Sequence, residues 1–212
     1  MSKYLPFQLF LRQALLYPLT SPFLPPVDKV ELGYSYAAGE KVGTLVGGGN
    51  FGLPKTSQTV VYKTNDDGTY QKGKPDAPPR FVDNGNGTIT DNATGLMWVK
   101  DPSQLGGVWG TPGTPAVMTW PDAIDNCEAL DYAGHDDWRL PNINELASIV
   151  DCSRYNPHIN PTFFPNTDKV NVYFSSTTAI FNTAAVFYVS FGVFNIYIAD
   201  KTTYSVARPV RG

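Results

Sequence analysis

Arg80-Phe81-Val82-Asp83-Asn84-Gly85-Asn86-Gly87-Thr88-Ile89-Thr90-Asp91 is the stretch on which the fold turns. Two short strand candidates, Arg80-Phe81-Val82 and Thr88-Ile89-Thr90, flank Asn84-Gly85-Asn86-Gly87, residue types that accept the positive φ of a tight hairpin. A second turn, Asp91-Asn92-Ala93-Thr94-Gly95, leads into Leu96-Met97-Trp98-Val99, so the segment predicts a three-stranded meander. Asp83 invites a calcium reading. A calcium loop, however, needs acids at regular odd positions and a closing Glu, and glycines occupy those places. The segment reads as a turn.

Downstream, Pro102 to Val117 is a loop rich in Gly, Pro and Thr, and two helices follow it. Thr119 suits an N-cap, and Trp120, Ala123, Ile124, Cys127 and Leu130 recur on one helical face. The second helix follows Pro141, with Asn142 as cap and Glu145 three residues on, a capping-box variant. Leu146, Ile149 and Val150 form its inner face, ending near Asp151. After a loop with Asn156-Pro157 and Asn160-Pro161, four segments are strand-like: Tyr173 to Thr178, Ala184 to Phe191, Val193 to Ile198 and Ser205 to Val210. They are rich in β-branched and aromatic residues and separated by short polar breaks. Strands, two helices and a further run of strands make an α+β order.

Upstream, Gly47, Gly49 and Gly52 fit a GxGxxG spacing, but that fingerprint needs a helix directly after it. Leu53-Pro54 comes instead, then Thr, Ser and Val residues suited to a strand, so the glycines read as a joint. Residues 1–50 differ from the rest. Tyr4 through Tyr17 suggests a short helix with Leu5, Leu9 and Leu16 on a broad apolar face, and the run from Pro18 to Pro26 is extended. Such an arm, without a core of its own, docks on its own domain, a sister subunit or a larger assembly; in the last case it is an assembly anchor. No small-residue cleavage site follows the apolar start, and no run reaches membrane-spanning length, so neither a leader nor membrane insertion is expected.

The 212 residues hold 19 Gly and 18 Pro, with 42% apolar and 17% charged residues, a mixture that punctuates a globular chain into short strands and long loops. A net charge of −3 with no basic stripe argues against a nucleic-acid partner. Cys127 and Cys152 form neither a disulfide framework nor a zinc spacing. Pairing is geometrically open, and two buried free thiols is the reading their apolar settings favour.

Taken together, several strings resemble one family. They are Arg80 through Asp91, Thr94-Gly95-Leu96-Met97-Trp98, Asp137-Trp138-Arg139-Leu140-Pro141 with Glu145-Leu146, Ser175-Ser176-Thr177-Thr178, and Arg208-Pro209-Val210-Arg211-Gly212. The set resembles the C-terminal domain of the Legionella collagen-like adhesin, relatives of which occur as variable proteins of diversity-generating retroelements. The resemblance covers about residues 53 to 212. It implies a C-type-lectin-like fold, two helices against short antiparallel sheets with long loops, and a ligand-binding role. The family's usual Tyr-Trp before the double Ser is Tyr173-Phe174 here, and the stretch after Thr178 departs most from the family's wording.

From Ala179 to Asp200 there is no Lys, Glu, Gln, Trp or Met, while Ala, Ile, Phe, Asn, Thr, Val, Tyr, Ser, Gly and Asp all occur. In such retroelements template adenines are randomised, and asparagine codons become any codon ending in a pyrimidine; those codons encode every residue present and none of those absent. A buried sheet would also lack Lys, Glu and Gln. The resemblance thus implies a variable region at about residues 179–205. With Val189 and Phe191 inward, strand alternation sends Tyr188 and Ser190 outward, and with Ile196 inward it sends Asn195 and Tyr197 outward. Phe181, Phe187, Val193, Phe194, Ile198 and Tyr204 join them in loops or at open orientations, with Asn182 and Asp200 adding polar groups. Exposed aromatics interleaved with small polar residues resemble an antibody paratope in composition. The competing reading places these aromatics in the core.

Framework residues receive structural roles: Trp98 and Trp138 in the core, and Arg139, Arg208 and Arg211 paired with carboxylates such as Asp137 and Glu145 or with backbone carbonyls. Catalysis finds little support. The two histidines, His135 and His158, sit in no HExxH, no serine sits in GxSxG, and His135-Asp136-Asp137 reads as a solvated turn before a core Trp. Formylglycine-generating enzymes need a late cysteine pair, and no cysteine follows Cys152. Calcium lectins carry Glu-Pro-Asn or Gln-Pro-Asp with Trp-Asn-Asp, and none of these triplets occurs. The expectation is a non-catalytic display protein without metal or cofactor. It would meet a protein or glycan ligand at a cell surface, standing on a virion or cell envelope, with residues 1–50 joining it to a homo-oligomer or a larger particle.

Overall fold

The computed structural model describes residues 53–74 and 79–212. The expected arm and the Gly47-Gly49-Gly52 joint lie outside the described residues. Thr56 to Val61, suited to a strand by composition, forms none. Its polar groups turn instead toward two carboxylates: Thr56 donates to Asp67, and the Gln58 side chain and the Tyr62 N–H donate to Asp66. Asp66 also caps α1 (Asp67–Tyr70) by accepting from the Thr69 N–H. Local side-chain hydrogen bonds have replaced a ladder.

The meander forms as expected, with β1 (Phe81–Asp83), β2 (Thr88–Asp91) and β3 (Met97–Val99) in antiparallel register. In its first turn the Gly85 N–H donates to Asp83 at 3.0 Å, and the Asp83 carboxylate is paired with Lys100. Gly87 has φ +85, and a Cβ there would fall 1.8 Å from the Tyr132 hydroxyl, so conformation and space both demand glycine.

The expected loop after Pro102 contains two 3-10 turns and a small hairpin, β4 (Gly110–Thr111) with β5 (Thr114–Pro115). The helix α2 (Trp120–Glu128) starts at Thr119, whose hydroxyl donates to Asp122 and does not cap an N–H. The helix α3 (Ile143–Ser148) carries the full capping box: Asn142 accepts from the Asn144 and Glu145 N–H groups, and Glu145 accepts from the Asn142 N–H. It stops three residues short of the expected end.

The second sheet has the order β6 (Tyr173–Thr178), β7 (Ala185–Ser190), β8 (Asn195–Asp200). The expected last strand from Ser205 shrinks to β9 (Val210–Arg211), which adds to β3 and brings the chain's end to the meander. Ser205 and Val206 make single bridges to Met118 and Tyr173.

Both faces of β6 and β7 are covered. One core joins Ile89, Trp98, Leu146, Ile149, Tyr173, Val189 and Phe191; a second joins Trp109, Met118, Ala123, Cys127, Phe174 and Val186. Neighbours Tyr173 and Phe174 therefore serve opposite faces, as the two-residue period requires. Helix α3 packs on β6 and β7, and α2 on β6.

The framework arginines hold this arrangement. Arg139 grips Glu145 in a fork at 2.7 and 2.8 Å, and Arg211 meets Asp137 at 2.5 Å. Arg208 is fully buried, donating to the Val99 and Lys100 carbonyls and the Thr167 hydroxyl. Trp98 and Trp138 are core residues. Both cysteines are free; Cys127 is buried, and burial pushes its thiol up, whereas Cys152 is exposed, contrary to the expectation of two buried thiols. It follows the end of α3, outside the core face.

Glu145 links cap, ion pair and acid stability. Burial pushes its carboxyl up, but the Arg139 guanidinium and the Asn142 N–H outweigh this and hold it below the usual glutamate range. A depressed carboxyl contributes stability that is complete above its unfolded value and lost as pH falls through the folded one. Glu145→Gln is expected to cost about 1 kcal/mol at neutral pH and to flatten the acid limb of a melting-temperature profile below about pH 4.5. An unchanged acid limb would assign acid sensitivity to other carboxylates.

Candidate ligand-binding surface

The β7–β8 hairpin carries most of the residues expected to bind ligand. Its register runs from Ala185 opposite Asp200 to Ser190 opposite Asn195 without a break. Val189 and Phe191 are fully buried, as expected, and Phe191 packs edge-on against Tyr173 at 5.0 Å. The hairpin is thus pinned to the core from its β7 side.

What lies outward is decided by strand position as well as by alternation. β7 is the central strand, and there Phe187 and Tyr188 are half-buried while Ser190, expected outward, is buried at 5% exposure. β8 is the edge strand, and there Ile196, expected inward, is 43% exposed although it faces the same side as buried Val189. The core beneath Val189 does not extend under β8. Both faces of β8 are therefore open, and Tyr197 and Ile198 on opposite faces are 46% and 41% exposed.

On one face Tyr188 and Tyr197 sit directly across the ladder with ring centroids 5.7 Å apart, and Asn195 shares that face. Burial, then the neighbouring Tyr197, pushes the Tyr188 hydroxyl up, so that phenol remains a neutral hydrogen-bonding group at physiological pH. Ile198 and half-buried Phe187 form a pair on the other face.

The remaining expected residues fall at the two ends of the hairpin, which the register separates by roughly 17 Å. At one end stand Phe181, 71% exposed, and Tyr204, with Asn182 and Asp200. Both of those polar side chains are committed to turns: Asn182 accepts from the Ala184 N–H, and Asp200 accepts from the Thr202 N–H and hydroxyl, which hold its carboxyl below the usual aspartate range. At the other end are exposed Val193 and Phe194. Phe194 approaches His158 at 5.9 Å and lines a cavity of about 250 Å³ with Leu53, Pro54, Ala147 and Cys152. The twelve expected residues do not form one patch; they form a central aromatic strip with two separate end groups.

Sequence reasoning missed Ile180, exposed at 92% beside Phe181, and Ile196. An apolar pair followed by Asn-Thr in a turn was the available signal for Ile180. It also missed Lys201, just past the end of β8, whose ammonium lies 4.2 Å above the Trp120 ring. Among the described residues no group of His, Cys, Asp and Glu could hold a metal ion, and His135 packs edge-on against Trp138.

Two helices against short antiparallel sheets, with a hairpin presented at one edge, define an α+β domain of C-type-lectin-like architecture. Residues 87–211 match the family described as Lcl C-terminal domain, and the chain belongs to that family. The match begins inside the first hairpin, so β1 lies upstream of it. No curated protein matches the chain.

Proposed function

We propose that this chain is an adhesin-like surface protein without catalytic activity, whose β7–β8 hairpin and flanking loops recognise a protein or glycan at a cell surface. Family membership supports the adhesin-like part. Among the described residues no helix is long and apolar enough to cross a membrane. The observation that carries the recognition reading is the Tyr188–Tyr197 pair. It is an aromatic strip running from half-buried Tyr188 on the central strand to exposed Tyr197 on the edge strand, fastened to a core by Val189 and Phe191. Aromatic anchors of this kind provide large contact area at low entropic cost.

The finer form of the proposal is that residues 179–205 are diversified by a retroelement and displayed on a virion or cell envelope. Its support is the residue set between Ala179 and Asp200 and the exposure of much of that stretch. Diversification would be confined to open positions, since Val186, Val189 and Phe191 are fully buried. An adenine-substituted near-repeat of the 3′ coding segment beside a reverse transcriptase gene is the expected genomic finding. Its absence leaves the non-diversified adhesin reading.

Tyr188→Ala with Tyr197→Ala is expected to abolish attachment to host cells, read by flow cytometry, each truncation costing about 2 kcal/mol or more of binding. The melting temperature should fall only a few degrees, because Tyr197 is exposed and Tyr188 half-buried. Undiminished attachment by the folded variant would move the site elsewhere.

A further inference from the structure

In β7 the carbonyls of Ala185 and Phe187 accept hydrogen bonds from the β6 side, from the Ala179 N–H at 2.9 Å and the Ser175 hydroxyl at 2.7 Å. Backbone groups alternate sides along a strand, so Val186, Tyr188 and Ser190 turn theirs toward β8, where Ala199, Tyr197 and Asn195 stand opposite. The Lys201 N–H, donating to the Ala184 carbonyl at 2.9 Å, continues the same alternation. Ile196 and Ile198 therefore aim their N–H and C=O groups outward, along an edge that no strand pairs among the described residues. Edge strands usually carry protection in the form of Lys, Pro or a bulge. Asn195-Ile196-Tyr197-Ile198-Ala199 has none of these and no charge before Asp200.

We propose that β8 pairs antiparallel with β8 of a second copy of this chain, about a two-fold axis at Tyr197. In that register Ile196 opposes the partner's Ile198, and each such pair exchanges two backbone hydrogen bonds. Tyr197 faces the partner's Tyr197 at a non-hydrogen-bonded position, with Cα atoms about 4.5 Å apart. Asn195 meets the partner's Ala199 and Asp200 meets the partner's Phe194, so no like charges stand opposite one another. Neighbouring registers fit worse. An axis at Ile198 brings in Asp200, whose carbonyl already accepts the Thr203 N–H, and an axis at Ile196 brings in Phe194, whose φ of 37° is not extended.

Self-pairing consumes the edge and leaves the faces of β8 open. The Tyr188–Tyr197 strips of the two copies then join into one four-ring row across a six-stranded sheet. Two weak ligand contacts would act together on a multivalent surface.

Light scattering of the full-length chain at increasing concentration is expected to reach twice the 23.2 kDa chain mass. Ile198→Pro should return it to a single chain mass while the melting temperature changes little, because the N–H it removes points outward and the β7 ladder is untouched. In a Cys152→Ser background, Tyr197→Cys should give a disulfide-linked dimer on oxidation, as the thiols meet across the axis. A wild-type chain that stays at single mass overturns the proposal, including the case where the edge captures some other polypeptide. A dimer that persists in folded Ile198→Pro, or that forms without cross-linking the introduced thiols, overturns it equally. If Ile198→Pro does not fold, the cross-link decides. Mass is read without any ligand, so failure here leaves the recognition proposal standing.

Discussion

Asp91→Ala is expected to lower the unfolding free energy by about 3–5 kcal/mol. Asp91 is fully buried and its carboxylate receives the Arg80 guanidinium in a fork at 3.2 and 3.1 Å, together with the Ala93 N–H at 2.9 Å. The same guanidinium reaches the Ser148 carbonyl at 2.5 Å, tying the meander to the end of α3, and lies over the Phe81 ring at 4.5 Å. Removing the carboxylate strands a buried cation and leaves the N–H of the second turn without its acceptor. Urea denaturation at neutral pH would show the loss as an early midpoint with an unchanged slope. The double variant Arg80→Met with Asp91→Leu should recover most of it, because two apolar groups leave no orphaned charge. A double variant no better than the single would mean that the pair specifies the turn geometry and not merely charge balance.

Phe191→Ala is expected to cost about 3–5 kcal/mol, whereas Phe181→Ala, ten positions earlier in the same variable-like stretch, should stay within about 0.5 kcal/mol. Phe191 is fully buried among Tyr173, Val189 and the rest of the first core, and its carbonyl accepts the His158 N–H at 2.7 Å. Phe181 is exposed in the loop after β6. The residue following Phe191 is equally constrained, since a Cβ at Gly192 would lie 2.1 Å from the Lys169 carbonyl oxygen. Calorimetric melting of the two variants would therefore divide the stretch into positions that hold the hairpin and positions free to change. Equal losses would place Phe181 in a contact that its exposure does not show, and equal tolerance would release Phe191 from the core.

The expected site residues divide by the same logic. Two-residue alternation placed Val189, Phe191 and Tyr197 correctly, because it depends only on the chain's own geometry. It put Ser190 and Ile196 on the right faces but not at the right burial, because burial also depends on whether a strand has neighbours on both sides. β7 lies between β6 and β8 and is covered beyond its inward face; β8 has one neighbour and is covered on neither face. Asn182 and Asp200 looked like ligand groups by type, yet short side chains of that kind close turns as readily as they bind partners.

Signals that act within a few residues are legible in the sequence: the Asn-Gly turns of the meander, the Asn142–Glu145 cap, the helical face of Trp120, Ala123, Ile124 and Cys127 (though not Leu130, which lies past the helix), and the strand character of the last third. Each depends on φ preferences or on contacts across one turn, which neighbouring residues dictate. Strand order, the partnership of Arg80 with Asp91, the burial of Arg208, and the placing of Phe181 and Phe194 at opposite ends of the hairpin come from contacts between segments far apart in the chain. Such contacts are selected by the joint packing of two cores against one sheet, and no local pattern records which strand ends at the edge.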